Sequence, residues 1–142
     1  MAMASAEFSV TILTPGSKLL DTKATEVILP GFDGEVGILA GHQNFIGLLG
    51  TGALKLVTSG NDYWFMVSSG VFEVRNGALT VLAEVGEKPE LIDTKRAEET
   101  CAKLEPLLVE KSAYSDDYAQ IATEYQKAKA RLEIHRRTEV VN

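Results

Sequence analysis

Pro30-Gly31-Phe32-Asp33-Gly34-Glu35-Val36-Gly37-Ile38-Leu39-Ala40-Gly41-His42, continued by Gln43-Asn44-Phe45-Ile46-Gly47-Leu48-Leu49, decides the fold. Four glycines fall within its first twelve residues, at 31, 34, 37 and 41. Glycine tolerates positive φ and close backbone approach, so this spacing predicts tight turns rather than a helix. The apolar pieces between them, Val36 to Leu39 and Phe45 to Leu49, are too short for helices and suit buried strands. A folded-back set of strands ending at a histidine follows, with no nucleophile–base pair and no phosphate loop.

Strand signals extend on both sides of that stretch. Phe8, Val10 and Ile12 alternate with Ser9 and Thr11, which is the period of a half-buried strand. Thr14-Pro15-Gly16 turns the chain, and Lys18 to Leu20 and Thr25 to Leu29 read as two more short strands. Ala53 to Thr58, Tyr63 to Val67, Val71 to Arg75 and Ala78 to Val85 continue the series. Turns are expected at Ser59-Gly60-Asn61, Ser68-Ser69-Gly70 and Asn76-Gly77, the last being a type I′ hairpin signal. About ten short strands with a turn every eight to twelve residues predict an all-β sandwich or barrel.

Composition changes sharply after Gly86. All 12 glycines, all five phenylalanines and the single tryptophan lie at or before it. The remainder is rich in Ala, Glu and Lys, which is helix chemistry. We therefore expect a β-sandwich over residues 1–87 and an antiparallel two-helix hairpin over 88–142. Asp93 is the expected N-cap of the first helix, and Ala97, Cys101, Leu104 and Leu108 share one of its faces. Pro106 removes a hydrogen bond to Ala102 and predicts a kink or stop near Glu105. Ser115-Asp116-Asp117 begins the second helix, whose stripe is Tyr118, Ile121, Tyr125, Ala128 and Leu132.

The chain carries a net charge of −6, which opposes general nucleic-acid binding. From Lys127 onward, however, five bases face two acids, so an acidic protein ends in a basic helix. That tail reads as a solvated face or as a docking surface for an acidic partner. The N-terminal residues lack the basic head and apolar core of a secretory signal, and no window is apolar enough for a membrane span. Cys101 is the only cysteine, and no other ligand pattern predicts a metal site. His42 reads as a structural hydrogen-bonder and Cys101 as a packing residue. No catalytic residue is expected.

Several runs together resemble the epsilon subunit of bacterial and chloroplast F-type ATP synthases. Gly34-Glu35-Val36-Gly37-Ile38-Leu39-Ala40-Gly41-His42 is similar to that family's Gly-rich signature. Ser69-Gly70-Val71-Phe72-Glu73-Val74 and Leu79-Thr80-Val81-Leu82-Ala83 resemble its second sheet segment. Ile92-Asp93-Thr94-Lys95-Arg96-Ala97 matches the motif that opens its helical hairpin. The family usually has proline where Ala40 and Asn44 stand, and an uninterrupted first helix where Pro106 stands.

The resemblance implies a non-catalytic rotor subunit of the central stalk, on the cytoplasmic face of the bacterial inner membrane and attached through the complex. Its partners would be the gamma subunit, the c-ring and the alpha/beta catalytic head, with no nucleic acid. The hairpin would inhibit ATP hydrolysis when extended. No cofactor is required, but some members bind ATP as a regulatory ligand. The matching positions here are Glu87, Ile92, Asp93, Arg96 and Ala97, with Lys127 and Arg131 where the family has two arginines. Interface candidates are Gly34, Glu35, Gly37 and His42 on the sandwich, and Lys127, Lys129, Arg131, Arg136 and Arg137 on the second helix. A free-standing ATP-sensing module is the alternative reading.

Overall fold

The computed structural model describes residues 6–141. Seven strands lead into two helices: β1 (Phe8–Thr14), β2 (Ser17–Ala24), β3 (Glu26–Gly31), β4 (Gly34–Leu39), β5 (Phe45–Val57), β6 (Asp62–Arg75) and β7 (Ala78–Glu87), then α1 (Thr94–Glu110) and α2 (Tyr118–Val141). A single 3₁₀ turn, Pro89–Leu91, links strands to helices. The strands are hydrogen-bonded in the order β2-β1-β7-β6-β5-β3-β4. All pairings are antiparallel except β1 with β7.

Seven strands replace the expected ten or so because two pairs of short strands are continuous. Phe45–Leu49 and the Ala53–Thr58 strand, up to Val57, merge into β5, and Tyr63–Val67 and Val71–Arg75 merge into β6. The glycines between them bend the ladder instead of ending it. At the Ser68-Ser69-Gly70 position, Ser69 has φ 60° and Gly70 φ 127°, while pairing with β5 resumes on both sides. On β5 the register against β3 shifts between Ile28 and Gly31. These bends fold one continuous ladder into two layers. Asn76 and Gly77 both have positive φ and close the tight β6–β7 hairpin, as their sequence predicts.

The core between the layers draws buried side chains from every strand. Phe8, Val10 and Ile12 of β1, Val27 and Leu29 of β3, Leu54 and Leu56 of β5, Phe65, Val67 and Phe72 of β6, and Leu79 and Val81 of β7 belong to one cluster. A second, smaller cluster lies on the outer side of the β5–β6 layer. There Trp64 and Met66 meet Ala130 and Ile134 of α2, with Ala53, Val85 and Ile92 around them. This explains the unbroken apolar run of β6: Phe65 and Val67 face the core while Trp64 and Met66 face the helix.

α2 packs on β5, β6 and the 3₁₀ turn, and α1 packs chiefly on α2. Asp93 caps α1, its Oδ1 accepting from the Arg96 N–H at 3.1 Å. Pro106 does not stop the helix, which runs on to Glu110. Ala102 and Pro106 both lie on the exposed side, so water can satisfy the carbonyl that loses its partner. On α2 the expected stripe holds only in part. Ala128 is fully buried, and Tyr118, Ile121, Tyr125 and Leu132 are half-buried. A second stripe, Ala130, Ile134 and Thr138, faces the sandwich. The helix is thus covered on two sides rather than one. Among the described residues no helix is long and apolar enough to cross a membrane.

Candidate functional site

Of the seven residues implied as nucleotide ligands, Glu87 and Arg131 pair across the junction of sandwich and hairpin, and Asp93 caps the helix that carries Arg96 and Ala97. Arg131 donates from Nε to Glu87 Oε1 at 2.9 Å and from Nη2 to Glu87 Oε2 at 2.6 Å. Both side chains are about three-quarters covered, with exposures of 23% and 25%. The hydrogen bonds it donates to Glu87 raise the Arg131 guanidinium above its ordinary value; burial opposes them, and the Glu87 charge adds to the rise. Such a two-toothed arginine–carboxylate fork adds geometric specificity to charge-assisted hydrogen bonding.

Lys127 sits one helical turn earlier on the same face, with Nζ 3.1 Å from Glu124 Oε1. Ile92 packs beside the Trp64–Ile134 cluster, and Ala97 is buried. The Asp93 carboxylate is a helix cap. The exposed Arg96 guanidinium makes no ion pair among the described residues. Asp93, Arg96 and Lys127 line neither the groove over Ala53 and Trp64 nor the one beside Tyr63 and Pro89.

The interface candidates divide into two places. Gly34, Glu35 and Gly37 lie on β4, an edge strand, with a two-residue turn at Phe32-Asp33. His42 follows in the loop; its Nδ1 is 2.8 Å from the Gln43 carbonyl and its ring meets Phe45 edge-on. The neighbouring Asn44 Oδ1 accepts the Asn76 N–H at 2.9 Å, tying this loop to the β6–β7 hairpin. Lys129, Arg136 and Arg137 are exposed on α2. Glu35 and these three cations share the rim of one groove of about 800 Å³, floored by Ala53 and Trp64. Among the described residues no group of His, Cys, Asp or Glu could hold a metal.

Residue-by-residue reading of the sequence missed a further surface. On the layer opposite α2, Leu48, Val71, Leu82 and Leu13 are register neighbours across β5, β6, β7 and β1. All four point away from the core, because Leu49, Phe72, Val81 and Ile12 beside them are buried. Leu48 is 59% exposed and Leu82 47%. Ile46 and Phe32 extend the row, at 68% and 71%, and the Phe32 N–H donates to the Leu48 carbonyl. A contiguous apolar row of this kind marks a contact surface. Its signal in the sequence was the Phe45-Ile46-Gly47-Leu48-Leu49 run, where apolar residues occupy both strand faces.

Comparison with known proteins matches residues 7–89 to the ATP synthase delta/epsilon chain β-sandwich domain. The chloroplastic ATP synthase epsilon chain of Emiliania huxleyi is 34% identical over 125 residues, covering 88% of this chain and 95% of the relative. The epsilon chain of Desulforudis audaxviator is 38% identical over 109 residues, covering 77% and 80%. Among solved structures, a chain of the Euglena gracilis mitochondrial ATP synthase, in an OSCP/F1/c-ring assembly, superposes with a TM-score of 0.67. It is 18% identical, and the match covers 99% of this chain and 84% of that one. At that identity the superposition speaks for the fold alone.

Proposed function

The chain belongs to the ATP synthase epsilon family, and from that premise we propose that it is the non-catalytic central-stalk subunit of an F-type ATP synthase. In this reading the sandwich is a stiff body gripped between the gamma subunit and the c-ring. It carries torque from the ring toward the alpha/beta catalytic head. The observation that carries the proposal is the asymmetry of the two outer faces. One is covered by α2, and the other keeps the row Leu13, Leu48, Val71 and Leu82 open with Ile46 and Phe32 beside it. A body that turns with a shaft needs one broad face fixed to it, and a row of leucines on an inflexible sheet provides adhesion without chemistry.

The exposed end formed by Phe32, Gly34, Glu35, Gly37 and His42 is the second contact in this proposal, directed at the c-ring. Attachment to the membrane would then be peripheral and through the complex, on the cytoplasmic face in a bacterial cell. The helical hairpin is the regulatory part, inhibiting ATP hydrolysis when α2 leaves the sandwich and presents Lys129, Arg136 and Arg137 to the head. ATP is the proposed regulatory ligand at Glu87, Asp93, Arg96, Lys127 and Arg131. Any phosphate reaching Arg131 must share it with the Glu87 carboxylate.

Co-purification of the full chain with a gamma subunit tests the stalk reading. We expect a stable complex with the native chain and none with Leu48→Asp/Leu82→Asp. Failure of the native chain to bind gamma would favour the alternative, an ATP-sensing module with no motor.

A further inference from the structure

The hairpin meets the sandwich almost entirely through α2, and α2 grips it with little apolar material. Among the described residues only Ala130 and Ile134 of the helix are buried against Trp64 and Met66. Beside this patch stands the Glu87–Arg131 fork. Glu87 is the last residue of β7 and pairs in register with Met66, so its carboxylate is fixed to the sheet at the edge of the patch. Arg131 follows Ala130 directly. Two other cations of α2 are held within the helix itself, Lys127 by Glu124 and Arg137 by Glu133. The fork, by contrast, crosses from helix to sandwich.

We propose that the Glu87–Arg131 fork is the latch that keeps the hairpin docked and sets the balance between its docked and released arrangements. The proposal rests on the reading of the hairpin as a movable regulatory arm. Both groups regain water when the helix leaves, so the fork stabilises docking modestly and breaks reversibly. Breaking one partner costs more than removing both, because the remaining charge is left partly covered and unmatched. The fork thus responds to whatever competes for either partner, an oxyanion at Arg131 or a cation at Glu87.

Thiol accessibility in the isolated full chain reads this balance directly. In a Cys101→Ser background, Ala130→Cys places a thiol beneath α2, and Ala83→Cys places one in the sandwich core. The rate of reaction with an aromatic disulfide reports helix release at the first and global unfolding at the second. Glu87→Gln should accelerate labelling at position 130 about tenfold, the effect of losing one charge-assisted fork. Labelling at position 83 should not change. Arg131→Gln should give a similar factor, and the double substitution no more than either single one. Unchanged labelling at 130, equal acceleration at 83, or multiplying effects in the double variant would each overturn the latch. None of these outcomes depends on gamma, so failure to bind gamma sinks the stalk reading without touching this result.

Discussion

Among the described residues, the cluster inside the sandwich gathers seventeen buried side chains from all seven strands, whereas the cluster beneath α2 gathers four. The first is framed by a continuous hydrogen-bonded ladder that runs through all seven strands. The second is flanked by the Glu87–Arg131 fork and joins two elements that each keep their own backbone bonds if separated. Apolar burial scales with area, so the inner cluster dominates stability while the outer one fixes only an arrangement. Unequal burial thus gives one chain a tightly held body and a lightly held helical arm.

The sharpest way to break this contrast is to damage each cluster in turn. Leu56→Ala removes a core side chain that is 1% exposed and should cost about 2–5 kcal/mol. Chemical denaturation should show one cooperative loss of the whole sandwich. Ile134→Ala removes a side chain that is equally buried in the outer cluster. It should leave that unfolding midpoint nearly in place and instead expose the single tryptophan, Trp64, with a red-shifted emission. If both substitutions lower the midpoint alike, the two clusters are one cooperative unit and the hairpin is not separable.

Removing residues 88–142 takes away the cover over Trp64 and Met66 but nothing from the inner cluster. The remaining chain should stay folded, still bind gamma, and release inhibition, so that ATPase of the assembled head rises. Unchanged ATPase would remove inhibition from the account. A smaller effect is expected at the ligand set: Arg96→Ala should weaken any ATP binding seen by calorimetry without altering the docked hairpin. The Arg96 guanidinium has no ion pair there among the described residues.

The mildest test concerns Cys101. Partial burial, and next the nearby Glu105 carboxylate, raise its thiol above the ordinary value, with Lys129 opposing them. Its thiolate fraction near neutral pH is therefore below that of a free cysteine, and alkylation of the native chain should be slower than of an unfolded one. Equal rates would mean that the α1 face carrying Cys101 is already open in solution.

Much of this was legible in residue order. The alternation of Phe8, Val10 and Ile12, the Asn76-Gly77 hairpin and the Asp93 cap depend on neighbours within a few positions, and all three stand in the structure. The glycines near residues 50 and 70 misled, because a glycine that bends a strand and one that ends it look alike until the partner strand is known. Of the kink or stop expected at Pro106, the stop does not occur: the helix runs on to Glu110, with Pro106 on its exposed side.

By itself the sequence determined that a glycine-punctuated β half precedes a glycine-free helical half, since turn and helix propensities act over short range. Only the tertiary structure decided that Glu87 and Arg131, 44 positions apart, hold each other. It also decided that Leu48, Val71, Leu82 and Leu13 line one open face. Strand register and helix docking bring such residues together, and neither is written in any local stretch of the chain.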